Sequence, residues 1–162
     1  MIGTHVYRRE MDLHDMTRPV MGPDIQLSDD GLLGINGAPD FLCNVDVVRD
    51  PNHDRFFAVT EQHPFPKEMP NFLAENLQVI SMDGVHVRRG GGRWTVEGVV
   101  GPALTGLPRN HNAGLVRTPL GTLPDPARIR VVLTDTCNRC SFPALMWECD
   151  LWAVEGTFRS CR

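Results

Sequence analysis

The sequence predicts an all-β chain made of antiparallel four-stranded blades of a β-propeller, about two of them and so an incomplete ring. Three observations carry this. Fifteen glycines and 13 prolines in 162 residues break the chain into short runs, which suits strands joined by turns. Between the breaks lie apolar, β-branched stretches bounded by Pro, Gly and Asp, the pattern of short strands. Finally, two signatures recur in the same order. Val48–Pro51 reads V-R-D-P and Val116–Pro119 reads V-R-T-P; Trp94–Gly98 reads W-T-V-E-G and Trp152–Gly156 reads W-A-V-E-G. Such self-similarity marks a repeat architecture.

Residues 1–40 are irregular, with Pro19, Pro23 and Pro39 and a turn signal at Ser28–Gly31. At most two short strands fit, around His5–Arg8 and Asp24–Leu27, in a segment that reads as irregular or as the remnant of a preceding blade. A first blade-like repeat spans 41–108. Its strands are Phe41–Arg49, stopped by Asp50-Pro51; Arg55–Thr60, opening on an aromatic pair; Leu77–Met82; and Arg93–Val100. A second spans 109–162, with strands at Gly114–Arg117, Ile129–Thr134, Phe142–Glu148 and Leu151–Phe158 and a cysteine-rich loop. Asn71–Asn76 has room for one helical turn, and Arg88, Arg89 and Arg93 around three glycines read as a solvated turn.

Val48 to Trp94 is 46 positions and Val116 to Trp152 is 36, lengths that suit a four-stranded sheet. The recurrent Trp is expected to pack between neighbouring blades, because one such sheet cannot bury both faces alone. Two related hairpins in one sandwich are the alternative architecture. Closed propellers use about four to eight blades, so the expectation is a fragment of a longer protein or a ring completed by self-association.

Sixteen basic and 20 acidic residues give a net charge of −4, the wrong sign for a dedicated nucleic-acid binder. No long apolar run offers a membrane span. Lys67 is the only lysine, so the positive charge is nearly all arginine, which suits carboxylate, phosphate and sugar-hydroxyl recognition. The polar start at Met1–Glu10 lacks a signal-peptide core, which places the chain in the cytoplasm by default, or outside the cell if the N-terminus is truncated.

Asn110-His111-Asn112-Ala113-Gly114-Leu115-Val116-Arg117 sets polar side chains directly before an apolar strand, where an innermost blade strand would meet the propeller axis. This opening resembles that of five-bladed β-propeller glycoside hydrolases of the arabinanase and β-xylosidase kind. Asp46–Pro51 with Arg55–Val59 resembles the strand-turn-strand unit of the same family, and together the likeness covers residues 40–134. The resemblance implies carbohydrate as partner and glycosidase-like activity from two carboxylates, an acid for the leaving oxygen and a base for water. It points to Asp40, Asp46 and Glu61 as catalytic candidates, with Glu61 the acid. His111, Asn112 and Arg117 become substrate-binding candidates, with His111 also a ligand for a hydrated cation on the axis. Asn44 departs from the pattern: it stands where the family's base aspartate is expected, and an amide cannot take that proton.

Two other functions follow from the residues. A non-catalytic propeller module that binds sugar or protein keeps the repeat and drops the chemistry. A small zinc protein would use Cys137, Cys140, Cys149 and Cys161, whose first pair is a C-x-x-C. Glu97 and Glu155 recur inside W-x-V-E-G, which marks them as structural. No phosphate-binding loop, nucleophile elbow or H-E-x-x-H zinc helix is present.

Overall fold

The computed structural model describes residues 7–27, 41–63, 76–106, 111–134 and 151–157. In chain order the elements are β1 (Tyr7–Asp12), β2 (Val20–Gln26), β3 (Phe41–Arg49), β4 (Arg55–His63), β5 (Asn76–Asp83), α1 (Gly84–Arg89), β6 (Thr95–Val100), α2 (Pro102–Thr105), β7 (His111–Leu115), β8 (Arg128–Thr134) and β9 (Leu151–Thr157). They form an antiparallel hairpin β1-β2, a four-stranded sheet β3-β4-β5-β6 and a three-stranded sheet β7-β8-β9. The chain is thus mostly β, and each larger sheet is an up-and-down antiparallel meander.

Strand position explains the burial. β4 and β5 are central and buried on both faces, and they read as near-continuous apolar runs, whereas the outer strand β6 is largely exposed. In an antiparallel pair, directly opposed residues share a face. Val48 opposes Phe57, and Val59 opposes Val79. These four, with Leu77 and Val100, form the front of the first sheet. They pack against Leu115, Leu123, Ile129, Val131 and Leu133 of the second sheet and its turn, in one shared apolar core. The two repeats therefore stack face to face.

The V-R-x-P signature is a turn device. After β3, Asp50 Oδ1 accepts the amides of Asn52 (2.8 Å) and His53 (3.3 Å). At the corresponding position after β7, Thr118 Oγ1 accepts the amides of Leu120 and Thr122, each at 3.3 Å. A short polar side chain at the third motif position thus caps the turn in both repeats. The second turn then docks on the first strand: Arg49 donates its amide to the Gly121 carbonyl (3.0 Å) and accepts from the Leu123 amide (2.9 Å). W-x-V-E-G is also a pairing device. Glu97 bonds Arg55, the first residue of β4, while Glu155 bonds Arg128, the first residue of β8, and also Arg130. The two segments nevertheless occupy different places: W-T-V-E-G opens the fourth strand of its sheet, whereas W-A-V-E-G lies in β9, next to β8.

Burial pushes the Asp50 carboxyl up, but the Asn52 amide and the His53 ring and amide outweigh this, so its pKa lies below the ordinary 3.8. A depressed folded pKa adds stability that is complete above the ordinary value and is lost as pH falls through the folded one. Asp50→Ala is expected to cost about 1–2 kcal/mol near neutral pH. The difference from the native chain should close below about pH 4. Urea titrations at several pH values check this; a gap independent of pH would assign the effect to backbone freedom alone.

The structure extends and corrects the sequence reading in several places. The N-terminal strands are longer than expected and pair with each other. Arg88 and Arg89 lie in the short helix α1, and Arg88 is held by both carboxylate oxygens of Asp54 (2.8 and 2.5 Å), so this part of the basic stretch is not a solvated turn. Trp94 packs with Ala58, Ile80 and Val45, on the back of the first sheet, away from the second. The parity is responsible: Val96 opposes Ile80, which opposes Ala58, and Trp94 stands two residues before Val96. The expected turn at Asn71–Asn76 falls almost wholly outside the described residues, and the strand at Phe142–Glu148 does so entirely.

The hairpin is moored at its base. Gly92 donates its amide to the Leu27 carbonyl (2.8 Å), and Arg8 Nη2 donates to the Arg88 carbonyl (3.1 Å). Gly90 has φ +80°, and a Cβ there would stand 2.5 Å from the Gln26 carbonyl oxygen. Gly90→Ala therefore meets both strain and a backbone clash. The expected result is faster hydrogen exchange at the Gly92 amide with little change in the core strands; unchanged exchange would show that the hairpin is held elsewhere.

Candidate functional site

Asp46 lies on β3 beside a bulge between Cys43 and Asp46. It opposes Val59 and shares the parity of Val48, so its carboxylate points forward, into the junction with β7. There Oδ2 accepts the Leu115 amide at 2.7 Å, and Oδ1 takes Arg117 Nη2 at 2.8 Å and the Val47 amide at 3.0 Å. Arg117 Nη1 also donates to the Val47 carbonyl (3.2 Å). Two of the sequence candidates, Asp46 and Arg117, are thus bonded to each other across the sheets.

Glu61 is fully buried on β4, with Cys43 opposite it on one side and Leu77 on the other. It follows Phe57 and Val59 at alternate positions and so faces the same junction. The bulge between Cys43 and Asp46 lies between their rungs, so Glu61 and Asp46 meet the junction from an irregular part of the ladder. The backbone of His111 and Asn112 opens β7, and their side chains lie outside the described residues. Asp40, Cys137, Cys140, Cys149 and Cys161 also lie outside them. Among the described residues, no group of three or more His, Cys, Asp or Glu is placed to hold a metal ion, and no helix is long and apolar enough to cross a membrane.

A second polar site lies at the far end of the first sheet. Arg55, Ser81, Met82, Asp83, His86, Arg93 and Thr95 line a cavity of about 280 Å³. Arg55 begins β4 and Asp83 ends β5, opposite one another in the ladder, while α1 brings His86 back over them. The guanidinium of Arg55 is fixed by three neighbours: Nη2 donates to Ser81 Oγ (2.7 Å) and bonds Glu97, and Cζ stands 5.2 Å from the centroid of the Phe57 ring. Glu97 in turn accepts from Ser81 Oγ at 2.5 Å. Arg55 and Ser81, held by these bonds, thus share one open pocket with Asp83, His86 and Arg93.

These residues did not stand out in the sequence as a site. The available signal was the recurrence of an Arg leading the second strand in each repeat with a Glu in W-x-V-E-G. Its meaning required the strand register. The recurrent Glu-Gly pairs also meet in space: Glu97, Gly98, Glu155 and Gly156 line a mostly apolar cleft of about 190 Å³ with Val79, Val100, Leu104, Ile129, Val131 and Val154. Comparison with known proteins gives no match for this chain among family models, curated sequences or solved structures.

Proposed function

We propose that this chain is a non-catalytic, blade-like β module that binds carbohydrate in the polar pocket of its first sheet. The observation that carries the reading is the contrast between the two sites. Asp46 accepts three hydrogen bonds and Glu61 is fully buried, so this pair is engaged in the fold and closed to a substrate. The pocket at Arg55, Ser81, Asp83, His86, Arg93 and Thr95 is open and offers the mixed donors and acceptors that sugar hydroxyls require. The arginine-rich composition supports the same ligand class.

Calorimetric titration with arabino- and xylo-oligosaccharides tests the reading, alongside a reducing-end assay on the matching polysaccharides. Binding that His86→Ala and Asp83→Ala weaken at least tenfold, without sugar release, is the expected result. The placement of Asp46 and Glu61 on the same side of the first sheet supports a second reading, in which the two serve as the carboxylate pair of a glycosidase. Sugar release abolished by Glu61→Gln would establish that reading and overturn the first. Absence of both binding and release would remove carbohydrate altogether.

A further inference from the structure

We infer that the outward face of the β1-β2 hairpin is a contact surface on which two copies of this chain associate about a two-fold axis. Apolar exposure is concentrated on the hairpin. Of the 12 large hydrophobic side chains exposed among the described residues, six belong to it: Tyr7, Met11 and Met21 on the outward face, Leu13 and Met16 in the turn at its tip, and Val20, opposite Asp12, on the other face. A lone two-stranded hairpin is marginal in water, and this one touches the body through a single face. Arg8 and Ile25 oppose each other on that inner face, with Arg8 bonded to the Arg88 carbonyl and Ile25 Cγ2 against Gly90.

The outer face has a pattern that fits a copy of itself. Tyr7, Arg9 and Met11 alternate along β1, and Gln26, Asp24 and Met21 oppose them on β2. Arg9 holds Asp24 through both carboxylate oxygens at 2.6 Å, and both side chains remain about half exposed, at 45% and 51%. A positive and a negative group thus lie side by side at the centre, flanked by Tyr7 at one end and Met11 with Met21 at the other. A two-fold axis running parallel to the strands, between Arg9 and Asp24, brings Arg9 of one copy to Asp24 of the second and each apolar end onto its counterpart. The surface is therefore self-complementary in charge, as an isologous interface requires.

The area agrees with a weak dimer. Half of a large side chain is on the order of 100 Å², so the exposed parts of Tyr7, Met11 and Met21 amount to roughly 300 Å² per copy, and Leu13 and Met16 at the tip add roughly 200 Å². Two copies bury about 1,000 Å², the lower bound for a specific interface and the range of transient ones. Methionine suits such a contact because its side chain adapts to the opposing surface.

Sedimentation of the full chain over a wide micromolar range is the test. The expected result is reversible growth from 18.1 kDa to twice that mass. Arg9→Asp and Asp24→Arg should each weaken the dimer at least tenfold, because each variant alone sets like charges against one another. Their equimolar mixture should restore it, since both pairs between the copies are then of opposite charge. Circular dichroism establishes folding of each variant, and Met11→Glu with Met21→Glu provides an independent disruption. A native chain that stays monomeric, a dimer insensitive to all these substitutions, or a mixture that stays monomeric overturns the inference. A monomer that sediments with phosphatidylcholine–phosphatidylglycerol vesicles, and loses this with Met11→Glu and Met21→Glu, would give the face to a lipid surface instead.

Discussion

Phe57→Ala is expected to destabilise the chain by about 3–5 kcal/mol, a large part of the stability available to a domain of this size. Phe57 is almost wholly buried at the centre of the apolar core that joins the two sheets. Its truncation removes ring contacts to both and leaves a void that β-sheet backbones, held by their ladders, close poorly. The ring also lies beneath the Arg55 guanidinium at 5.2 Å from Cζ, so the same substitution loosens the residue that Ser81 and Glu97 hold at the polar pocket. Two losses should therefore appear together: a lower urea midpoint and weaker oligosaccharide affinity. Val96→Ala, on an exposed side chain of β6, should stay within about 0.5 kcal/mol of the native chain. A Phe57→Ala cost below about 1 kcal/mol would mean that the two sheets do not share the core described.

Much of the fold was legible where burial imposes a pattern. Phe41–Arg49 coincides with β3 and Arg55 with the start of β4, because Asp50-Pro51 ends one strand and an aromatic pair opens the next. The repeat was legible for a related reason. Its motif positions serve turn capping at Asp50 and Thr118 and strand pairing at Glu97 and Glu155, which are local needs met by local residues. Elements without a buried stripe were harder to read. β1 is exposed along almost its whole length and β2 carries no buried residue, so no alternation announced them beyond a few residues. α1 is six residues long, too short for a helical period to register, and its arginines looked solvated until the register placed Asp54 beside Arg88. The sites were the least legible part. The sequence marked Asp46, Glu61 and Arg117 as chemistry-bearing groups, but Asp46 and Arg117 become partners only when the second sheet folds onto the first. The polar pocket likewise depends on three strand ends and α1 converging.

That partnership makes Asp46→Ala the most informative substitution at the sheet junction. Removing the carboxylate leaves the Leu115 amide without its acceptor beside a buried side chain and strands the Arg117 guanidinium next to the Val47 carbonyl. Hydrogen bonds to a charged group are worth about 1.5–3 kcal/mol each, so a total cost of roughly 2–4 kcal/mol is expected. Arg117 is about half exposed, and its loss alone should cost only about 1 kcal/mol. In a double-mutant cycle the pair should couple by about 0.5–2 kcal/mol, with added salt reducing the coupling only in part because Asp46 is the more buried partner. Near-additivity would mean that the two groups act independently and that the clasp between sheets lies elsewhere. Asp46→Asn separates stability from chemistry. It retains a side-chain oxygen for the Leu115 amide but gives up the charge, so a clasp predicts a modest stability loss with oligosaccharide affinity intact. A general base predicts the reverse, an almost undisturbed fold with sugar release abolished. Because both outcomes are read on one folded variant, Asp46→Asn distinguishes a blade module whose carboxylates hold its sheets together from an enzyme that uses them.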